Sequence, residues 1–444
     1  MTITRNWLGR VDTEGNASNI SLTGVSTVGA KALVVAIKVQ DGTFTSLDLS
    51  DNQSNVWEPV GEANNGTNAP RTRMWWCRNP TTSASHNLTV TVNGGSTNYL
   101  RLGAWSINAD GQVVLDDFRE AVGTSTSWGV AGLARISDAV HCLICGEYTG
   151  HTVSNANGWT EHDAVANKAH FFSRVETGNG KQAGLITMTT SEPFAAVGAS
   201  FREIVGTLVK RDTFTVASDI ALASYPSGSP EWANQIGTSV TVSAANDRIQ
   251  EATGNGDQYC RFTGAGAPTD RQRVAGMVGW NTVDHSGCFI VRANATGGGN
   301  FYLLQRQSAT NWQVWSYKSG SWSGSPITTF AAALADAGRA LISFEAETNG
   351  AQVTLRAIID GTLYSFNDTL SDRILSGTPG LGVYSTSGST NNFVDNVVVE
   401  DPEFAARLRQ RLLHAITQHG QATDPVVYGQ RPLRQRFLER LALV

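Results

Sequence analysis

Few places in this chain of 444 residues bring together side chains that could make or break a bond. Glycoside hydrolysis takes two carboxyl groups flanking the scissile linkage, and the nearest arrangement is Glu345-Ala-Glu347. In a strand both carboxylates share one face while Phe344 and Ala346 point the other way. An ordinary strand with one wet face has the same pattern, so the pair reads as structural. Histidines gather once, at His151, His162 and His170, with Glu161 and Asp163 beside His162. Zinc takes such ligands, but the His-x-x-x-His or paired Cys-x-x-Cys spacing of a metal site is missing. Cys142-x-x-Cys145 stands alone, and in an extended chain its thiols face opposite sides. Asp395 and Asn396 offer the oxygen ligands that calcium prefers, with plain turn-side hydrogen bonding as the competing reading. Gly297-Gly-Gly299 reads as a hairpin turn rather than a phosphate loop, and no Gly-x-Ser-x-Gly elbow occurs. No catalytic residue is assigned. The expectation is a non-enzyme with no cofactor, calcium being the one ion its residues could take.

Binding chemistry is better represented. Trp312, Trp315, Tyr317 and Trp322 crowd into the stretch 311–322. Sugar rings lay their C–H faces on aromatic rings, whose faces carry negative charge density. These four are the candidate glycan contacts. Trp315 and Tyr317 share one strand face, and the competing reading is that the aromatics belong to the core.

The elements that must position these residues are strands. Hydrophobic residues make up 41% of the chain and charged ones only 16%, so polarity comes from Gly (45 of them), Ser, Thr and Asn. That mixture suits short strands and tight turns. Residues 32–39 are an apolar run of strand length, 86–93 alternate before Gly94-Gly95, and 99–107 resume the alternation. Further strands are expected at 139–146, 169–175, 184–189 and 194–204. A second unit is expected to open at 212–216 and to continue through 273–281, 287–293, 300–305, 312–318, 339–347, 352–360 and 393–400. Asp360-Gly361 is a hairpin-turn dipeptide between two of these runs. Nothing repeats between the halves.

From Asp401 the character changes. Seven arginines face four acidic residues, a tail of +3 on a chain whose net charge is −5, which leaves −8 for the body. An acidic body argues against nucleic-acid binding. Pro402 fits a helix start, and Phe404, Leu408, Leu412 and Ile416 then fall on one helical face, flanked by Arg407, Arg409 and Arg411. After Pro432 a second stripe carries Leu433, Phe437 and Leu441. Such a tail either caps the preceding domain or docks on another subunit. The opening Met1-Thr-Ile-Thr-Arg-Asn-Trp-Leu has no apolar signal-peptide core, and no apolar run approaches the ~18 residues that span a bilayer. The five cysteines have no framework spacing, so reduced thiols made in a cytoplasm, with no membrane insertion, are expected.

The second unit, about 212–400, resembles the concanavalin A-like lectin/glucanase superfamily, laminin G-like modules included. The resemblance rests on Asp212-Thr-Phe-Thr, on Gly380-Leu-Gly-Val-Tyr and on the closing Phe393-Val-Asp-Asn-Val-Val-Val. It implies a jelly roll and a lectin-type surface. The acidic signature of the glucanase branch, Glu-x-Asp-x-x-Glu, is incomplete here, since position 350 is Gly. The first unit, with Ser50-Asp-Asn-Gln-Ser-Asn-Val-Trp57 and Arg73-Met-Trp-Trp-Cys-Arg-Asn79, is similar to β-sandwich modules of phage tails and bacterial surface proteins.

The expected fold is therefore all-β: two tandem antiparallel sandwiches, the second a concanavalin A-like jelly roll, and a C-terminal amphipathic helical tail. The divisions are 1–204, a linker at 205–211, the lectin-type domain at 212–401 and the tail at 402–444. The expected role is that of a virion structural subunit of a tailed phage, as tail fibre, head spike or decoration protein. Its partners would be other virion proteins, copies of itself and host-surface polysaccharide. A bacterial carbohydrate-binding module and a polysaccharide-degrading enzyme are the alternatives.

Overall fold

The computed structural model describes residues 3–66, 69–162, 167–204, 207–237, 240–250, 256–267, 271–280, 286–294, 299–334, 338–349, 352–385 and 392–401. The tail at 402–444, with its Phe404, Leu408, Leu412, Ile416, Leu433, Phe437 and Leu441 stripes, lies outside the described residues. Within them the chain is all-β, a single 3-10 turn at Leu222–Ser224 being the helical element.

The first half stacks three antiparallel sheets. The central one runs in the order Thr4–Ala17, Ser96–Asn108, Ala32–Thr43, Arg71–Arg78 and Glu58–Asn64. Its middle strand explains the apolar run read at 32–39. Ala32, Val34 and Ala36 enter one core while Val35, Ile37 and Val39 enter the other. A strand covered on both faces has no wet side to mark with polar residues. One face packs on the three-stranded sheet of Asn19–Val25, His86–Asn93 and Ser46–Asp51. The opposite face packs on a six-stranded sheet built around Ala139–His151 and a long ribbon.

That ribbon pairs Val113–Arg135 with Gly180–Glu203 along nearly their whole length, with register shifts near its middle. Its proximal part, Val113–Ser125 against Glu192–Glu203, lies in the six-stranded sheet. The distal part carries Trp128, Val130, Leu133, Ile186 and Met188, which form a further core with Leu143, Cys145 and Phe172. The ribbon thus covers the outer face of its own sheet. The expected two-sheet sandwich of the first half is instead a stack of three sheets, with the distal ribbon over the outer one.

The second half is a two-sheet sandwich around one large core. A nine-stranded sheet has Phe393–Asp401 near its middle, between Arg248–Gln250 and Gln272–Gly279, and continues through Arg339–Asn349, Gln352–Ile359 and Thr362–Asp368. The facing eight-stranded sheet runs Trp232–Ile236, Gly256–Phe262, Thr378–Ser385, Ser286–Asn294, Asn300–Arg306, Asn311–Lys318 and Ser321–Trp322, with Thr328–Ala331 paired to the sixth of these. Residues 207–212, most of the expected linker, are a strand of this half: Thr207–Asp212 pairs with Phe393–Asp401.

The halves do not sit merely in series. The outer face of the nine-stranded sheet presents Ala275, Met277, Leu341 and Ile358 to Ala134 and Ile136 at the end of the ribbon. Val114 and Ile204 meet Val398 nearby. The Asp360-Gly361 turn docks on the ribbon as well. Both residues have left-handed backbones, φ 49° and 85°, as a two-residue hairpin turn of type I′ requires. A Cβ on Gly361 would stand 2.0 Å from the Gly180 carbonyl oxygen, so only glycine permits this approach.

Candidate functional site

The four candidate aromatics separate by strand parity. In Asn311–Lys318 the even positions face the sandwich core, and Trp312 is fully buried there, edge-on to Trp280 at 6.1 Å. Trp312 is therefore a core residue, a correction to its place among the glycan contacts. Trp315 and Tyr317 lie on the outer face, joined by Trp322 from the next short strand, and all three are half-buried. Tyr317 stacks on Phe301 at 5.1 Å and 18°, while Trp322 stands edge-on to Tyr317 at 5.0 Å and to Phe301 at 5.6 Å. Trp315 meets Trp322 at 6.3 Å.

Two polar groups fix this cluster. The Trp315 Nε1–H donates to Gln313 Oε1 at 2.8 Å. Asp257 accepts from the Tyr259 hydroxyl at 2.8 Å and from Trp322 Nε1–H at 3.2 Å. A carboxylate has room for about four hydrogen bonds, so Asp257 keeps acceptor capacity beside the indole of Trp322. Asp257, Tyr259 and Phe301 escaped the sequence reading. Their signal is the alternation in Asp257-Gln-Tyr259, which places the acid and the phenol on one face, yet nothing in the sequence aligns that strand with residues 301 and 322. The cluster lies on the sheet facing away from the first half. Half-exposed indole and phenol rings beside a carboxylate can stack on a sugar and accept its hydroxyls.

The other candidates are occupied by structural bonds. Phe344 and Ala346 enter the core, and Glu345 and Glu347 project outward as their spacing predicts. Glu345 accepts from Arg273 at 2.7 Å, Arg356 at 2.7 Å and Arg271 at 3.0 Å. Burial works against its charge, but the arginines outweigh it and hold the carboxyl below its ordinary range. A carboxylate bonded to three cations is a poor proton donor and a poor nucleophile.

The histidines form a hydrogen-bonded chain. His170 lies between Glu147, 3.1 Å from Nε2, and Glu161, 2.8 Å from Nδ1, and Glu147 also takes His151 Nδ1 at 2.7 Å. His162 is apart, bonded to Ser173 and stacked on Trp7 at 4.7 Å. Cys142 and Cys145 enter cores on opposite faces of their sheet, as their spacing requires. Among the described residues no group of three or more His, Cys, Asp or Glu side chains is arranged to hold a metal ion.

Asp395 and Asn396 occupy a bulge. Asn396 has φ 50°, and the register against Gln272–Gly279 shifts here. Gly276 makes room: a Cβ there would come within 2.7 Å of the Asp395 carbonyl oxygen. The Asp395 carboxylate accepts from the backbone N–H of Asn396 at 2.6 Å and from its side-chain amide at 3.2 Å. Burial pushes the Asp395 carboxyl up to about 7, against the pull of its hydrogen bond and of Arg248 and Arg211. That environment disfavours the ionised carboxylate that a calcium ligand must be. The pair lines a cavity at the seam between the halves.

No protein-family model matches this chain. No curated protein matches it either. Among solved structures it is similar to a carbohydrate binding module, CBM66 from Bacillus subtilis, at 15% identity over 38% of this chain and 92% of that one, with a TM-score of 0.26. It is also similar to the basic winged bean lectin solved with Tn-antigen, at 9% identity over 41% and 96% of the two chains, again with a TM-score of 0.26. Likenesses at these scores carry no argument about what this chain binds.

Proposed function

We propose that the chain is a non-enzymatic adhesive subunit whose second sandwich contacts glycans through Trp315, Tyr317 and Trp322, with Asp257 as hydrogen-bond acceptor. The observation that carries this reading is the half-exposed aromatic cluster on the sheet turned away from the first half. The finer proposal sets the subunit on a phage-like virion, as fibre, spike or decoration protein, held through the Arg-rich tail and facing host-surface polysaccharide. The tail's apolar stripe and positive charge support it. Many copies on one particle would turn weak single contacts into firm attachment, with avidity gains of about 10²–10⁴.

A glycan array probed with the full chain and with Trp322→Ala tests the first part. Expected is binding to a set of polysaccharides that the variant loses. Equal binding by both proteins, or none by either, overturns it. Copurification of the subunit with assembled particles, lost on Leu408→Asp with Leu412→Asp, tests the second. If glycan binding holds and no particle retains the chain, the free-standing carbohydrate-binding module is the correct reading.

A further inference from the structure

The seam between the halves holds a cavity of about 220 Å³. Its first-half wall is Glu58, Trp76 and Phe118; its second-half wall is Arg211, Thr213 and Thr215 with Asp247 and the Asp395-Asn396 bulge. We infer that it is a second binding site, shaped for one neutral sugar ring. The inference does not depend on the aromatic face.

Size is the first reason. The space lies below the ~300 Å³ at which pockets for drug-sized ligands begin and holds several times the ~30 Å³ share of a single water. The enclosed space is of the order of one sugar ring.

Chemistry is the second. Among the described residues the guanidinium on the wall is that of Arg211, bound to Glu58 at 2.7 and 3.1 Å and lying over the Trp76 ring at 4.9 Å. This pairing neutralises the floor. The remaining wall offers acceptors and hydroxyls: Asp247, Asp395 and the Thr213 and Thr215 hydroxyls, whose oxygens are 3.5 Å apart. Asp395 has acceptor capacity beyond its two bonds to Asn396. Carboxyl, amide and hydroxyl groups beside the partly exposed Phe118 ring suit a ring that carries several O–H donors. An anion would meet like charge at Asp247 and the Asp395 carboxyl, and among the described residues the wall has no cation of its own to turn toward it, Arg211 being held by Glu58.

Backbone conformation is the third. Three non-glycine residues at this cavity have left-handed φ: Phe214 between the two threonines at 54°, Asp247 at 47° and Asn396 at 50°. Such conformations gather at ligand sites, and for a ring as bulky as Phe214 the conformation is a true outlier. Phe214 buries its ring in the core while the threonines on either side line the cavity.

The test is NMR titration of the full chain with the methyl glycosides of glucose, galactose, mannose, fucose and N-acetylglucosamine, and with methylammonium as the cationic probe. The readout is the assigned indole N–H signal of Trp76, which donates to Glu58 on the cavity floor. Expected is a saturable shift with at least one glycoside, weakened about tenfold or more by Asp247→Ala and unchanged by Trp322→Ala. Asp247 is exposed, so its replacement removes no core contact, and the strain of alanine at its left-handed φ of 47° is too small to unfold the chain. The inference is overturned if no glycoside moves the signal, if Asp247→Ala binds as well as the parent, or if methylammonium alone binds. Loss on Trp322→Ala would assign the binding to the aromatic face instead.

Discussion

Arg202 and Glu400 form a fully buried ion pair across the seam, although 198 residues separate them in the chain. Asp116 holds the other side of the same guanidinium at 2.5 Å. Nearby, Asp360 of the second half takes Arg119 at 3.3 Å and Lys181 at 2.7 Å from the ribbon. The interface between the halves is therefore ionic at its centre, with small apolar patches beside it.

Breaking such a pair from one side leaves buried charge without compensation, at a cost of about 3–5 kcal/mol. Arg202→Met should lower stability by that amount in urea unfolding, with both halves melting in one transition. A midpoint equal to that of the parent would show that the seam contributes no coupling between them.

The Glu147–His170–Glu161 chain gives stability a pH dependence with a definite sign. Burial works against the charged imidazole, but its bonds to Glu147 and Glu161 outweigh it, so His170 titrates above its ordinary 6.5. A raised folded value means stability that is complete below 6.5 and lost as pH rises through the folded value. Glu147 is shifted the other way: hydrogen bonds from His170 and His151 outweigh burial and hold it below 4.5. Its contribution is complete above 4.5 and fades as pH falls through the lowered value. The contribution of this chain should peak between these limits, and His170→Gln should flatten the alkaline side of that contribution in thermal melts from pH 4 to 9, compared with the parent at each pH.

Trp312 and Trp322 should respond in opposite ways to truncation. Trp312→Ala opens a hole in the core and should cost about 3–5 kcal/mol. Trp322→Ala should leave the melting temperature within a few degrees of the parent and remove glycan binding. Calorimetry and the array, run on both variants, separate the two roles.

Glu345→Gln removes the shared partner of three arginines, each partly exposed. A loss of about 1–3 kcal/mol is expected, read by urea unfolding. If that variant instead abolished reducing-end release from a polysaccharide by the parent protein, the non-enzymatic reading would fail.

Light scattering behind size exclusion, on the full chain and on a chain ending at Asp401, tests the tail. Oligomers of the first and folded monomers of the second are expected. Monomers in both cases would make the tail a cap on its own domain or a segment that waits for an absent partner.

Residues 213–216, expected in an opening strand, lie outside any strand, and Trp232–Ile236, Gly256–Phe262 and Thr362–Asp368 are not among the expected strands. The other seven expected strands of the second half, from 273–281 to 393–400, were legible because each is short and bounded by turn residues; the Asp360-Gly361 turn is where its dipeptide places it. The 23-residue strand Val113–Arg135 was not. Its middle, Gly123-Thr-Ser-Thr-Ser127, has the composition of a loop, and only pairing with Gly180–Glu203 makes it extended. The face of Trp315 and Tyr317 followed from period two. The burial of Trp312 follows from the same parity once the core side is known, and a single strand does not reveal which side that is. The cavity was illegible, because its walls come from segments far apart in the chain, Glu58 and Arg211 by 153 residues, that nothing but the completed seam brings together.

Thr207 and Asp401 are paired neighbours, so the second sandwich is entered and left at one point, on the sheet that rests on the first half. The aromatic cluster is on the opposite sheet. A support that grips the chain beyond Asp401 therefore holds this sandwich by its base, as a stalk holds a flower head, and the ring-bearing face looks outward. A pull on that face loads the last residues of Phe393–Asp401, where the strand is held on one side by Thr207–Asp212 and on the other by Gln272–Gly279.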